Sequence, residues 1–273
     1  MKLGYDDRGE GLPILLLHGF PLGRWMWSAQ LEALSDQGCR LIAPDLRGYG
    51  ESTVTDGELP EALTMEIFAR DAVELLDDLG IREPVVVAGL SMGGYIAQAI
   101  AADDPNRVRA LILMDTKAKG DSPEAAANRE VMAKKVLEAN SPEPLVTDMI
   151  PKLFSENAPA SEPELITQVR GLMMKTPAKV VAATLRGLAI RPDRTHDLPN
   201  FSWPTLVIVG ADDVITPLSE AREMVGMLPN GTLSVASNAG HLAPMEARNA
   251  VDRAILEFLQ HSGLLSPKGA DPQ

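Results

Sequence analysis

The stretch Val85-Val86-Val87-Ala88-Gly89-Leu90-Ser91-Met92-Gly93-Gly94 decides the fold. Its first four residues form a continuous apolar run, the pattern of a parallel strand buried on both faces. Beyond it, the small and apolar residues that follow Met92 as far as Ile100 read as a helix. Between the two, Gly-x-Ser-x-Gly has the spacing of a sharp strand-to-helix turn that lifts a serine hydroxyl clear of the sheet. Glycines flank the serine because such a turn leaves no room for neighbouring side chains. The helix start also directs its dipole and unbonded amides towards negative charge growing on an oxygen. Ser91 is therefore the candidate nucleophile, and the Met92 amide a candidate oxyanion donor.

Outward from this turn, short apolar runs alternate with helical patterns, the signature of a mostly parallel sheet with helices on both faces. Strands are predicted over residues 14–18, 40–44, 85–88, 108–114, 205–209 and 232–236, all apolar or nearly so. The opening stretch, residues 3–12, suggests an antiparallel hairpin through the turn at Asp7-Arg8-Gly9. Met65, Phe68, Ala69, Ala72, Leu76 and Leu79 share one helical face between Thr64 as N-cap and Gly80 as C-cap. A similar stripe runs from Ala247 to Phe258, and Thr216-Pro217 opens another helix. Residues 263–273, rich in Pro, Gly and Ser, are predicted to be a flexible tail.

The segment 117–199 interrupts the alternation. It holds no convincing strand but several helix starts: Ser122-Pro123, Ser141-Pro142, Thr176-Pro177 and the capping box Ser161-Glu162-Pro163-Glu164. About four helices are predicted there, forming a cap inserted into a core made of residues 1–116 and 200–262. Its methionines, Met132, Met149, Met173 and Met174, suit either ordinary packing or an adaptable apolar pocket.

The chain of 273 residues has a formal net charge of −13, which disfavours nucleic acid and anionic membrane as partners. The charge is uneven. Residues 117–199 carry 12 Lys and Arg against 11 Asp and Glu, a net of +1, and the remainder carries −14. Basic groups such as Arg129, Lys134, Lys135 and Arg191 are thus free, on this reading, to meet a carboxylate or simply to face water. Cys39 is the only cysteine, so no internal disulfide forms, and no apolar run is long enough to cross a bilayer. The first residues carry two acids and no apolar leader, which points to a cytoplasmic protein. The sequence leaves the oligomeric state open. No metal-ligand spacing and no phosphate-cradling loop is present, so neither a metal nor an organic cofactor is predicted.

A serine nucleophile of this kind needs a second oxyanion donor, an acid and a base. His18-Gly19-Phe20-Pro21 follows the strand at 14–18, and the Phe20 amide is the candidate donor to pair with Met92. His18, at a buried strand end, reads as a structural hydrogen-bonded histidine. Trp25 and Trp27 follow this loop; they wall the acyl pocket or serve as packing, and both are carried forward as candidate substrate-binding residues. The strand at 205–209 runs into Gly210-Ala211-Asp212-Asp213, and the strand at 232–236 into Gly240-His241. The order Ser, Asp, His fits this strand arrangement and differs from that of other serine-hydrolase folds. His196 and His261 lie away from such strand ends, which leaves His241 as the base.

These features resemble the α/β-hydrolase superfamily, in particular its small esterases, 3-oxoadipate enol-lactonases and cofactor-free haloperoxidases or perhydrolases. The likeness covers nearly the whole chain through H-G-F-P, A-P-D-L-R-G-Y-G-E-S at 43–52, G-L-S-M-G-G, G-A-D-D and G-H. It implies an α/β-hydrolase fold with a helical cap. It places the acid three residues after the loop glycine, at Asp213, and leaves Asp212 as a turn residue. It implies hydrolysis of small carboxylic esters or lactones through an acyl-enzyme, without a cofactor. Haloalkane dehalogenases and epoxide hydrolases of this fold require an aspartate where this chain has Ser91. Carbon–carbon hydrolases use serine and stay compatible. A ligand-binding receptor on the same fold is the alternative from another class, because fold does not fix function.

Overall fold

The computed structural model describes residues 2–266 apart from Asp56 and Glu58. Seven strands form one sheet in the order β1-β3-β2-β4-β5-β6-β7. They are β1 (Tyr5–Arg8), β2 (Leu12–Leu17), β3 (Cys39–Pro44), β4 (Val85–Leu90), β5 (Val108–Met114), β6 (Thr205–Gly210) and β7 (Gly231–Ala236). All neighbouring pairs are parallel except β1 with β3, which is antiparallel with Tyr5 opposite Pro44. The first strand therefore exists but does not form the predicted hairpin. Its partner is β3, because β2 is already paired on both sides, by β3 and by β4.

Side chains on a strand alternate between faces, and this splits the core in two. Leu15, Leu17, Val85, Val87, Leu111 and Leu113 point to one side, where α2 (Met65–Asp78) and α3 (Met92–Asp103) cover them. Ile14, Leu16, Val86, Ala88 and Ile112 point to the other, under α1 (Ser28–Ser35) and α11 (Arg248–His261). Every residue of β4 is buried, as its uninterrupted apolar run predicted, whereas β7 is an edge strand and only Ala236 in it is buried. Thr64 caps α2 through a hydrogen bond from the Ile67 amide.

Between β5 and β6 lie α4 (Pro123–Ala139), α5 (Glu143–Leu153), the single turn α6 (Ala158–Ser161), α7 (Pro163–Met173) and α8 (Ala178–Ala189). Ser122 caps α4 by accepting from the Ala125 amide. The capping box expected at Ser161 is not made. That residue closes α6, and its hydroxyl turns back to the Asn157 carbonyl. After β6 come α9 (Leu218–Met227) and, after β7, the short α10 (Ala243–Glu246) ahead of α11. Within the stretch predicted as a flexible tail, Leu264 and Leu265 donate to the Leu259 carbonyl and pack on the core; the rest of that prediction, residues 267–273, lies outside the described residues. Among the described residues, no helix is long and apolar enough to cross a membrane.

Candidate active site

Loops at the carboxyl ends of β2, β4, β5, β6 and β7 converge, as expected for an open parallel sheet. Ser91 follows β4 with φ +52° and ψ −110°, a combination sparsely populated by non-glycine residues. The flanking glycines hold it there. A Cβ on Gly89 would lie 2.1 Å from the Gly93 carbonyl oxygen, and one on Gly93 would lie 2.0 Å from that of Leu17. The turn is further tied by the Thr116 hydroxyl, which donates to the Ser91 carbonyl at 2.8 Å.

The Ser91 hydroxyl lies 2.8 Å from His241 Nε2, and His241 Nδ1 lies 2.9 Å from Asp213 Oδ2. A carboxylate only accepts, so Nδ1 carries the ring proton and Nε2 is left to accept from the serine. Of the two adjacent acids, Asp213 is 4% exposed and reaches the imidazole, whereas Asp212 is exposed to solvent. Asp213 Oδ1 accepts from the Ile215 and Thr216 amides at 2.8 and 3.0 Å, and the Thr216 hydroxyl donates to Oδ2 at 2.6 Å. Burial works to raise the pKa of this carboxyl. The hydrogen bond from His241, its charge and the Thr216 donors outweigh burial and hold the pKa below the usual carboxylate value.

The Phe20 and Met92 residues face the same cavity as Ser91 and His241. Met92 opens α3, so its amide has no intrahelical carbonyl to bond. His18 does not reach this group. It is fully buried, its Nδ1 donates to the Gly19 carbonyl at 2.9 Å, and its Nε2 accepts from the Leu46 amide at 3.0 Å. Burial lowers its pKa to about 4, so it is a neutral strut between the Phe20 loop and the loop after β3.

The cavity over Ser91 has a volume of about 510 Å³, suited to a small organic molecule. Its far wall is built by α4, α5 and α8, with Met132, Leu145, Met149, Leu185 and Leu188 as the apolar part. Two sequence-based expectations need correction. Trp25 and Trp27 do not line this cavity. Trp27 is fully buried in the core among residues such as Met26 and Leu31, and Trp25 borders a separate cavity of about 330 Å³ beside Leu172 and Pro177. The chain turns into a 3₁₀ helix at Arg24, which carries both indoles away from Ser91. Nor are the four basic groups equally free. Arg129 and Lys135 line the cavity and Lys134 does not, while Arg191 is buried against Asp121.

Three supporting residues were missed by motif reading. Thr216 was read only as a helix opener, although a hydroxyl three residues after a buried acid is a plausible local donor to it. Asp115 follows β5 with φ +43° and is fully buried, its Oδ1 accepting from the Gly210 amide at 2.7 Å at the start of the acid loop. Burial, reinforced by the charge of Asp213, pushes its carboxyl well above the usual value. Glu246 clamps the histidine loop to the inserted helices: Oε1 accepts from the Gly240 amide at 2.7 Å, and Oε2 from the Ser155 amide and hydroxyl, each at 2.9 Å. Neither acid has a sequence signature. Among the described residues, no three His, Cys, Asp or Glu side chains cluster as metal ligands would.

This fold and arrangement define an α/β-hydrolase. The chain belongs to the Alpha/beta hydrolase family, whose model matches residues 14–254. It is 31% identical to the non-heme chloroperoxidase CPO-A1 of Kitasatospora aureofaciens, over 95% of this chain and 96% of that protein. Among solved structures, it is similar to a thermophilic esterase of Thermogutta terrifontis, with 45% identity, a TM-score of 0.91, and 95% and 93% of the two chains covered. It is also similar to the enol-lactonase of Burkholderia xenovorans LB400, with 27% identity, a TM-score of 0.84, and 94% and 96% covered.

Proposed function

We propose that this protein is a serine hydrolase that cleaves small carboxylic esters or lactones through an acyl-enzyme intermediate. The observation that carries this reading is that His241 bridges Ser91 and Asp213, at 2.8 and 2.9 Å, on the floor of a small-molecule cavity. Similarity to an esterase and to an enol-lactonase supports the same class of reaction.

In this mechanism Ser91 Oγ attacks the acyl carbon while its proton passes to His241 Nε2. Asp213 holds the imidazole in the accepting tautomer and stabilises the imidazolium. The Phe20 and Met92 amides receive the oxyanion, where fixed donors need no reorganisation. His241 then protonates the leaving alkoxide as the acyl–oxygen bond breaks. In the second half, His241 takes a proton from water, the hydroxide attacks the acyl-enzyme, and the acid departs as the proton returns to Ser91. The inserted helices, residues 117–199, act as a cap that shapes the pocket.

The deciding experiment is turnover of an activated aryl ester by the wild-type chain and by Ser91→Ala. Burst release of the phenol, absent in the variant, is the expected result. Equal rates in the two would overturn the reading, and no turnover by either would favour a receptor-like role.

A further inference from the structure

The cavity over Ser91 has an unusual charge for a chain whose net charge is −13. Its charged wall residues are Arg129, Lys135, Lys152 and Asp148, beside His241 and the neutral Tyr95 phenol. Lys152 and Asp148 pair at 2.8 Å one turn apart on α5, so they largely neutralise each other. Arg129 and Lys135 remain, both carried by α4 and both lining the cavity.

Neither of these two has a carboxylate to itself. Arg129 pairs with Asp121, but Asp121 is shared with Arg191, whose Nη1 lies 2.7 Å from its Oδ1. Arg191 is sealed in: its side chain is 2% exposed, and its guanidinium sits 4.3 Å from the Tyr95 ring centre. Two guanidinium charges therefore meet one carboxylate, and the excess positive charge emerges through Arg129, whose side chain is 27% exposed. Lys135 forms no ion pair among the described residues, whereas the adjacent Lys134 reaches Glu130 at 4.0 Å. The cap wall thus presents about two uncompensated positive charges to a small cavity, where low-dielectric walls concentrate their field.

Resting on the ester-hydrolase reading above, we propose that the preferred substrate carries a carboxylate in addition to the scissile ester or lactone, and that Lys135 and Arg129 on α4 receive it. The apolar residues Met132, Leu145 and Leu188 lie on the walls of the same cavity and suit a short hydrocarbon spacer. The substrate class is a half-ester of a small dicarboxylic acid, an ester of a hydroxy acid, or a lactone with a pendant carboxylate.

The test compares phenyl butyrate with phenyl hemisuccinate, and with the butyrate ester of 4-hydroxybenzoate, so that the extra carboxylate sits on the acyl or the alcohol side. One anionic ester is expected to exceed phenyl butyrate in kcat/KM by about tenfold or more at low salt, with the advantage shrinking as ionic strength rises. Lys135→Gln is expected to reduce that anionic-to-neutral ratio about tenfold, mainly through KM, and Lys134→Gln to leave it unchanged. Calorimetric titration with glutarate and butyrate gives a second readout that needs no turnover: glutarate should bind more tightly, and Lys135→Gln should erase the difference. A wild-type chain that favours neither anionic ester and binds both acids equally would overturn the proposal while leaving the hydrolase reading intact. Lys135-dependent glutarate binding without hydrolysis of any ester would support charge recognition and overturn the hydrolase reading instead.

Discussion

The Thr216 hydroxyl donates to Asp213 Oδ2 at 2.6 Å, the same oxygen that accepts from His241 Nδ1 at 2.9 Å. The Asp213 carboxylate is thus held by a side chain three residues downstream as well as by two backbone amides. Hydrogen bonds to charged groups contribute about 1.5–3 kcal/mol, so Thr216→Val should lower kcat/KM by roughly 10-fold or more. Both residues are buried, so Tm should fall as well, and kcat is to be compared at a temperature where both proteins are folded. An unchanged kcat would show that the two backbone amides suffice.

Asp213→Asn should cost about 10⁴-fold in kcat, because an amide in place of the carboxylate stabilises the wrong imidazole tautomer. Asp212→Asn, at an exposed position, should stay within about threefold of wild type. Steady-state kinetics of the two variants would reveal a misplaced acid if the order were reversed.

Acid sensitivity follows from the same carboxyl. Its folded pKa lies below its ordinary value, so Asp213 contributes stability that is fully present above the unfolded carboxyl pKa of about 3.9 and is lost as pH falls through the folded value. The Tm difference between wild type and Asp213→Asn should therefore be greatest near neutrality and narrow below about pH 4. A difference that stays constant from pH 7 to pH 3 would contradict this assignment.

Ser91 sits in strained backbone, which separates two effects. Ser91→Ala should abolish turnover by about 10⁴-fold or more while keeping the strain. Ser91→Gly removes the Cβ at φ +52° and should be the more stable of the two by about 1 kcal/mol, although equally inactive. Denaturant midpoints of the two variants measure the difference directly.

The two tryptophans should now diverge. Trp27→Ala should destabilise the fold by about 3–5 kcal/mol, as for other fully buried aromatic truncations. Trp25→Ala should leave the acyl-chain preference unaltered, since its indole borders the other cavity. A changed chain-length profile would return Trp25 to the substrate site.

Local chemistry made much of this legible in advance. A strand buried on both faces must be apolar throughout, so β4 was readable. A serine on a tight turn must be flanked by glycines, so the elbow was readable too. Thr64 and Ser122 announced their helices because a cap bonds only two or three residues ahead. What depends on contacts between distant segments left no such mark. Whether β1 pairs with β2 or β3 is settled by which edge stays open. Whether Arg191 is free depends on Asp121, Leu188 and Tyr95 closing around it, and whether Trp25 meets substrate depends on the path of one short 3₁₀ helix. Sequence alone singled out Ser91 and His241 as candidates, because the turns that carry them leave local signatures. Only the tertiary structure decided which charges face the cavity, because burial and pairing belong to the packed whole.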